Sequence, residues 1–301
     1  MNDLLEKIEK ENIGRIIKDI SLKNYTTYKV GGKATALVYP RDEKKMVLLL
    51  RLIKQYNVKY KILGNGSNTL FSDNDYDGII INLKDFDDIK IMNNIVKVGA
   101  GYNLIKLCAI VAKRGLTGLE FASGIPGTVG GAIYMNAGAY KSDMGYIVRS
   151  VRVLTPDYKI ITMANREMNF HYRTSFLSQN KGYICLGVTI ALKHGKRELI
   201  EEVIRDRRER RLESQPLEYP SAGSVFRNPE GLFAGKLIED LGYKGLIKGG
   251  AGVSNKHANF VINYGEAKAQ DIKDLIDFLR EEVKNKYNVE LKVEQEFVNW
   301  E

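Results

Sequence analysis

The chain has 301 residues, 44% of them hydrophobic, and 46 Lys plus Arg against 37 Asp plus Glu leave a formal net charge of +9. That composition excludes a disordered or fibrous chain, supplies enough apolar residues for a sizeable core, and favours anionic partners such as phosphates, nucleic acid or acidic lipid. Two cysteines, Cys108 and Cys185, lie in apolar segments, which points to buried thiols in a reducing compartment and away from disulfides. The opening residues hold no signal-peptide core, and no segment approaches the ~20 apolar residues of a membrane span. The expectation is a cytoplasmic protein with no membrane insertion.

A charged, helical lead-in comes first. Residues 34–39 read as a strand, Asp42 as a helix cap, and Met46, Val47, Leu49, Leu50 and Ile53 as the apolar face of the helix that follows. Residues 59–63 return as a strand, then Gly64-Asn65-Gly66-Ser67-Asn68, then a β run over 78–83. A second unit opens with a strand at 95–98 and a helix at 104–113, then enters a glycine-rich, charge-poor stretch over 122–140. Residues 147–154 and 184–192 read as strands, with Pro156-Asp157 marking a turn between β runs. A charged helix over 197–212 leads into the last part. There the pattern predicts a strand near Val225, a helix carrying Leu232, Leu237, Ile238 and Leu241, a strand at 260–262, and a helix over 267–287. Val289, Leu291, Val293 and Phe297 share one face of a final strand.

Several segments can carry chemistry. The glycines at 64–68 suit either a loop whose amides wrap a phosphate or an ordinary tight turn; the run is neither a Walker loop nor a GxGxxG fingerprint. Residues 124–132 offer bare amides, a rigid proline and one hydroxyl, which serve a diphosphate-linked cofactor or tight helix packing equally well. His171, His194 and His257 are widely separated and no close Cys/His pair exists, so no metal is expected. Arg173, within Tyr172-Arg173-Thr174-Ser175, suits a carboxylate or developing enolate, or a structural salt bridge. Ser224, within Ser221-Ala222-Gly223-Ser224-Val225-Phe226-Arg227-Asn228-Pro229, lacks the GxSxG context of an acyl-transfer nucleophile, which leaves proton donation or ligand binding. Glu294 shares a polar face with Glu290, Lys292 and Glu296, the pattern of a solvated edge. The basic stretch 205–211 is broken by Asp206 and Glu209 and reads as a solvated helix face, so no nucleic-acid partner is expected.

Taken in order, Tyr25-Thr26-Thr27-Tyr28-Lys29-Val30-Gly31-Gly32, the GNGSN run at 64–68, GIPGTVGGA at 124–132 and Asn136-Ala137-Gly138-Ala139-Tyr140 resemble the flavin-binding elements of the UDP-N-acetylenolpyruvoylglucosamine reductase family, a resemblance that extends over residues 25–297. It implies an α+β chain: an FAD-binding region of the p-cresol methylhydroxylase/vanillyl-alcohol oxidase type in two subdomains, 1–83 and 84–200, followed by an α+β substrate-binding domain, 201–301, that closes over the flavin. It further implies bound FAD, NADPH as co-substrate, and reduction of UDP-N-acetylglucosamine enolpyruvate in peptidoglycan precursor synthesis. Cofactor contacts then fall on Tyr28, Gly31, Gly64, Asn65, Gly66, Ser67, Asn68, Gly124, Ile125, Pro126, Gly127, Thr128, Gly130, Gly131, Ala132, Asn136 and Gly138. The catalytic arginine, proton-donating serine and glutamate fall on Arg173, Ser224 and Glu294, and substrate contacts on Tyr172, Arg227 and Asn228. Val293 stands where a proline is usual before the glutamate, and Glu296 is close by. Lys141, Arg227, Gly252 and Asn255 also depart from the family pattern, and the chain before Ser221 is too short for a substrate-capping insertion, as in the shorter branch of the family. The rival is an FAD-linked alcohol or hydroxy-acid oxidase on the same scaffold, against which SAGSVFRNP and Lys256-His257-Ala258-Asn259-Phe260 argue.

Overall fold

The computed structural model describes residues 1–300, which form two compact units. The first comprises residues 1–18, 36–64 and 78–209, and the second residues 19–35, 65–77 and 210–301. Two segments early in the sequence thus belong with the C-terminal third.

In the first unit, the strands follow runs of β-branched and aliphatic residues, and side-chain caps begin the helices. The strand Lys33–Pro40 is followed by Asp42, whose carboxylate accepts from Lys45 N at 2.9 Å and starts the helix Glu43–Gln55. Asn103 does the same for Leu104–Lys113, accepting from Lys106 N at 2.9 Å. One sheet takes the order Gly14–Ser21, Lys33–Pro40, Tyr76–Ile81, Lys59–Ile62, with the last two strands parallel. The other has five strands in the order Ile160–Ala164, Val148–Leu154, Ile184–Ala191, Ile95–Gly99, Ile89–Met92, every neighbouring pair antiparallel. One hydrophobic cluster, from Leu4 through Ile53, Val98 and Leu107 to Ile190, fills this unit.

The second unit packs the helix Ala269–Tyr287 on a three-stranded antiparallel sheet of Ile247–Lys248, Ala251–Val253 and Val261–Asn263. Ile272, Leu275, Ile276, Leu279 and Val283 recur at helical spacing and are buried. Asp73 accepts from Ala269 N at 2.9 Å and Gln270 N at 3.0 Å, and Asn288, left-handed at φ +54°, ends the helix. Thr69–Phe71 pairs in parallel with Glu296–Val298. Fully buried Phe226, worth roughly 2–3 kcal/mol of apolar burial, anchors the core.

Four expectations are corrected. The lead-in is helical only over Asn2–Lys10 and continues as a strand, Gly14–Ser21, kinked where Asp19 takes φ +51°. The segment at Val225 forms a single bridge, Phe226 to Val293, instead of a strand. Leu232 precedes its helix, Ala234–Asp240, because the Asn228 carboxamide accepts from Ala234 N at 3.1 Å and fixes the start there. The final strand is confined to Glu296–Val298, since the residues before it meet only the short Val225–Arg227 backbone.

Candidate active site

The glycine-rich stretch of the first unit is held tightly to its neighbours. Thr128 caps the short helix Val129–Tyr134, its hydroxyl accepting from Gly131 N at 3.2 Å. Gly127 O accepts from Leu104 N at 3.0 Å, Val129 N donates to Tyr102 O at 2.9 Å, and Gly130 N donates to Ala100 O at 2.8 Å. Ile125 N and Gly127 N close local turns onto Ala122 O and Ile125 O. With Ala132 N donating to Thr128 O, six amides of residues 124–132 are therefore committed within the protein, which corrects the reading of bare donors. What the glycines provide is close approach: a Cβ on Gly130 would lie 2.9 Å from Ala100 Cβ, and one on Gly64 would lie 2.8 Å from Thr128 Oγ1. The result is a wall of backbone with few side chains.

Beyond this helix, residues 134–145 are stitched to the turn that carries Arg173. His171 and Thr174 exchange backbone hydrogen bonds at 3.0 Å each, so Tyr172 and Arg173 form the tip of a tight turn. Arg173 takes φ +53°, a left-handed conformation unfavourable for a residue with a long side chain. Its Nη2 donates to Gly138 O at 2.9 Å and its guanidinium lies 5.1 Å from the ring of exposed Tyr172. Buried Asn136 donates to His171 O at 2.8 Å and accepts from Gly145 N at 2.9 Å, while Ser175 donates to Tyr134 O at 2.7 Å. Asn136, Gly138 and Arg173 are thus brought together, and the backbone strain at Arg173 is sustained by this network, a pattern that accompanies functional positions.

In the second unit, Gly66 O accepts from Thr27 N at 3.2 Å and from Thr27 Oγ1 at 3.3 Å, joining the Tyr25–Gly32 and GNGSN segments. Tyr28 is fully buried and donates its hydroxyl to Gln295 Oε1 at 3.0 Å; burial pushes the phenol far above its usual range, although the bond to Gln295 lowers it somewhat. Asn68 Nδ2 donates to Glu294 O at 3.2 Å, and Asn68 O accepts from Glu296 N at 2.9 Å. Glu294 N in turn donates to Val225 O at 2.7 Å, beside Ser224. Ser224 and Glu294 are therefore on adjacent backbones, both half-buried, and Glu294 is no solvated edge. Gly31 and Gly66 take φ +117° and +63° in the same region. Arg227 N donates to Lys292 O at 2.9 Å, and Asn228 is exposed.

Two residues that sequence reasoning passed over complete this region. Asn259 is buried and grips Phe226 at both ends, accepting from its N at 2.9 Å and donating to its O at 2.8 Å. Gln295, also buried, donates to Ala222 O at 3.1 Å and Gly223 O at 3.4 Å. For Gln295 the sequence signal was a polar residue at an inward position of an alternating run, and Asn259 was marked only as a member of the 256–260 segment. The two cysteines are free and buried, and burial is the main cause raising each thiol to about 12. Among the described residues no helix is long and apolar enough to cross a membrane.

Comparison with known proteins fits this arrangement. Residues 34–164 match the FAD binding domain, which places the chain among the FAD-dependent oxidoreductases, and residues 215–298 match the C-terminal domain of UDP-N-acetylenolpyruvoylglucosamine reductase. The chain is 42% identical to the UDP-N-acetylenolpyruvoylglucosamine reductase of Anoxybacillus flavithermus over 99% of both chains, and 43% identical to reductase 1 of Bacillus anthracis over the same shares. The solved reductase from Thermus caldophilus superposes with a TM-score of 0.81 at 34% identity, covering 94% of this chain and 98% of that one. An alkyldihydroxyacetonephosphate synthase, with a TM-score of 0.50 at 16% identity over 64% of this chain and 40% of its own, shares the fold alone. The chain belongs to the UDP-N-acetylenolpyruvoylglucosamine reductase family.

Proposed function

We propose that the chain catalyses the NADPH-dependent, FAD-mediated reduction of UDP-N-acetylglucosamine enolpyruvate to UDP-N-acetylmuramate, a step of peptidoglycan precursor synthesis in the cytoplasm. The observation that carries this reading is the 42% identity to a reductase of that name over 99% of both chains. The residues present fit a flavin dinucleotide: close approach at Gly64 and Gly130 keeps side chains off a backbone wall, and the +9 net charge suits anionic ligands. In this assignment residues 1–83 and 84–200 serve the cofactor and 201–301 the sugar nucleotide.

FAD, held by residues of the 25–32, 64–68 and 124–138 segments, would supply the redox chemistry by which a hydride equivalent passes from NADPH to the methylene carbon of the enolpyruvyl group. Arg173 holds the substrate carboxylate by paired hydrogen bonds and stabilises the negative charge that moves toward it as the methylene becomes a methyl. Ser224 then gives a proton to the ether-bearing carbon, where the former double-bond electron pair becomes the new C–H bond. A serine hydroxyl is a weak acid, so it acts by placement beside a strongly basic enolate. Glu294 assists Arg173 as that charge develops. Its neighbour Glu296 is the alternative, because it lies two residues further on and is likewise half-buried. Tyr172, Arg227 and Asn228 contact the sugar nucleotide.

The test is turnover in D2O with analysis of the product. UDP-N-acetylmuramate carrying solvent deuterium on the ether-bearing carbon is expected. Oxygen consumption with an alcohol or hydroxy acid, and no reduction of the enolpyruvyl ether, would mark an oxidase and overturn the reading.

A further inference from the structure

Ser224 sits outside any regular sheet, yet the backbone on both sides of it is tied down. Glu294 N and Asn259 hold the residues that follow it, through Val225 O at 2.7 Å and both backbone groups of Phe226. The residues that precede it are a different case. Gly223 takes φ +73° and a side chain there would meet nothing within 4 Å, so nothing packs against the bend itself, although Ala222 before it is buried. What holds it is Gln295, whose Nε2 donates to Ala222 O at 3.1 Å and Gly223 O at 3.4 Å.

The orientation of that carboxamide is forced by its partners. Carbonyls only accept, so Nε2 must face Ala222 and Gly223, and Oε1 must face a donor. The donor is the Tyr28 hydroxyl at 3.0 Å, on a fully buried ring whose own carbonyl accepts from Asn263 Nδ2 at 2.9 Å. Burial keeps the phenol protonated, and hence a donor, throughout the working pH range. Tyr28 thus locks Gln295, and Gln295 locks the bend that aims Ser224. The same Tyr28 lies in the segment assigned to the cofactor.

We propose that Gln295 is a positioning residue for proton transfer, acting through Ser224 with Tyr28 as its anchor. The inference rests on the reading of Ser224 as proton donor. Because the hydroxyl works by placement, loss of the bend's restraint slows protonation by roughly 10- to 100-fold, the scale of a displacement of about 1 Å.

The experiment is rapid-mixing kinetics of the holoenzyme and its Ser224→Ala, Gln295→Leu, Gln295→Glu and Ser224→Ala/Gln295→Leu variants, with NADPH bleaching of the flavin and its reoxidation by the enolpyruvyl substrate timed separately. Gln295→Glu keeps the size and the acceptor for Tyr28 but not the donor to Ala222 and Gly223, and so stands in should Gln295→Leu fold poorly. Expected are bleaching within about twofold of the parent and reoxidation slowed about 10- to 100-fold in both Gln295 variants, with the double variant no slower than Ser224→Ala alone. Faster amide hydrogen exchange over residues 221–226 should accompany this, with or without bound flavin. Reoxidation that is unchanged in the Gln295 variants, losses that multiply in the double variant, or equal slowing of both half-reactions would overturn the positioning role. Unimpaired reoxidation in Ser224→Ala would instead overturn the proton-donor reading on which it rests.

Discussion

The guanidinium of Arg173 donates to the carbonyl of Gly138 at 2.9 Å from a residue whose own φ is +53°. Arg173→Ala and Arg173→Gly both remove that bond, but only glycine adopts this backbone without strain. The glycine variant should therefore be the more stable of the two by about 1 kcal/mol. Both should lose turnover with the enolpyruvyl substrate. Urea unfolding of the pair measures the difference, and an alanine variant as stable as the glycine one would count against the strain.

Gly130 and Gly131 are neighbours with different surroundings. A Cβ on Gly130 would crowd Ala100 at 2.9 Å, whereas one on Gly131 would meet only Thr128 Oγ1, at 3.4 Å. Gly130→Ala should shift the Val129–Tyr134 helix and leave the protein poor in flavin after purification, while Gly131→Ala should keep most of it. The ratio of visible to ultraviolet absorbance decides between these outcomes.

Asn259 satisfies both backbone groups of buried Phe226. Truncation in Asn259→Ala leaves an N–H and a C=O without those partners, so a loss of about 2–4 kcal/mol of stability is expected. The urea midpoint reports it, and a change below about 0.5 kcal/mol, the range of ordinary surface substitutions, would show that the clamp carries little.

Cys108 and Cys185 are raised from a usual value of 9.0 to about 12, with burial the largest cause. Neither thiolate is populated in the folded protein at pH 8, so a disulfide reagent should titrate no thiol until denaturant is added. The sign for stability follows. The unfolded chain loses these protons above pH 9 while the fold keeps them to about 12, so their contribution is intact below pH 9 and falls between pH 9 and about 12. Rapid labelling of native protein would contradict this.

Much of the local structure was legible because its signals are local. Helix Leu104–Lys113 falls where the apolar spacing puts it, and the Asp42 cap is present as expected. The alternation from Val289 to Val293 was also correct about direction: Leu291 is buried while Glu290 and Lys292 are exposed. It failed as a strand assignment because a ladder needs a partner, and only a short stretch at Val225–Arg227 lies opposite. Gly14–Ser21 was missed because charged residues and the left-handed Asp19 break its period.

The site was legible mainly as motifs. Sequence marks Arg173 and Ser224 as residues, but not the hydrogen bonds from Asn136 and Ser175 that brace the arginine turn, nor the Gln295 and Asn259 amides around the serine. Those bonds join residues far apart in the chain. Equally, glycines at 124–131 announce small side chains without saying whether their amides are open or already bonded.

The most direct test of the central claim is the visible spectrum of the purified protein, followed without oxygen as NADPH and then UDP-N-acetylglucosamine enolpyruvate are added. The account predicts flavin bands that bleach with NADPH and return promptly with the sugar nucleotide; a colourless protein that FAD does not reconstitute, or a bleached flavin that the sugar nucleotide leaves bleached, would contradict it.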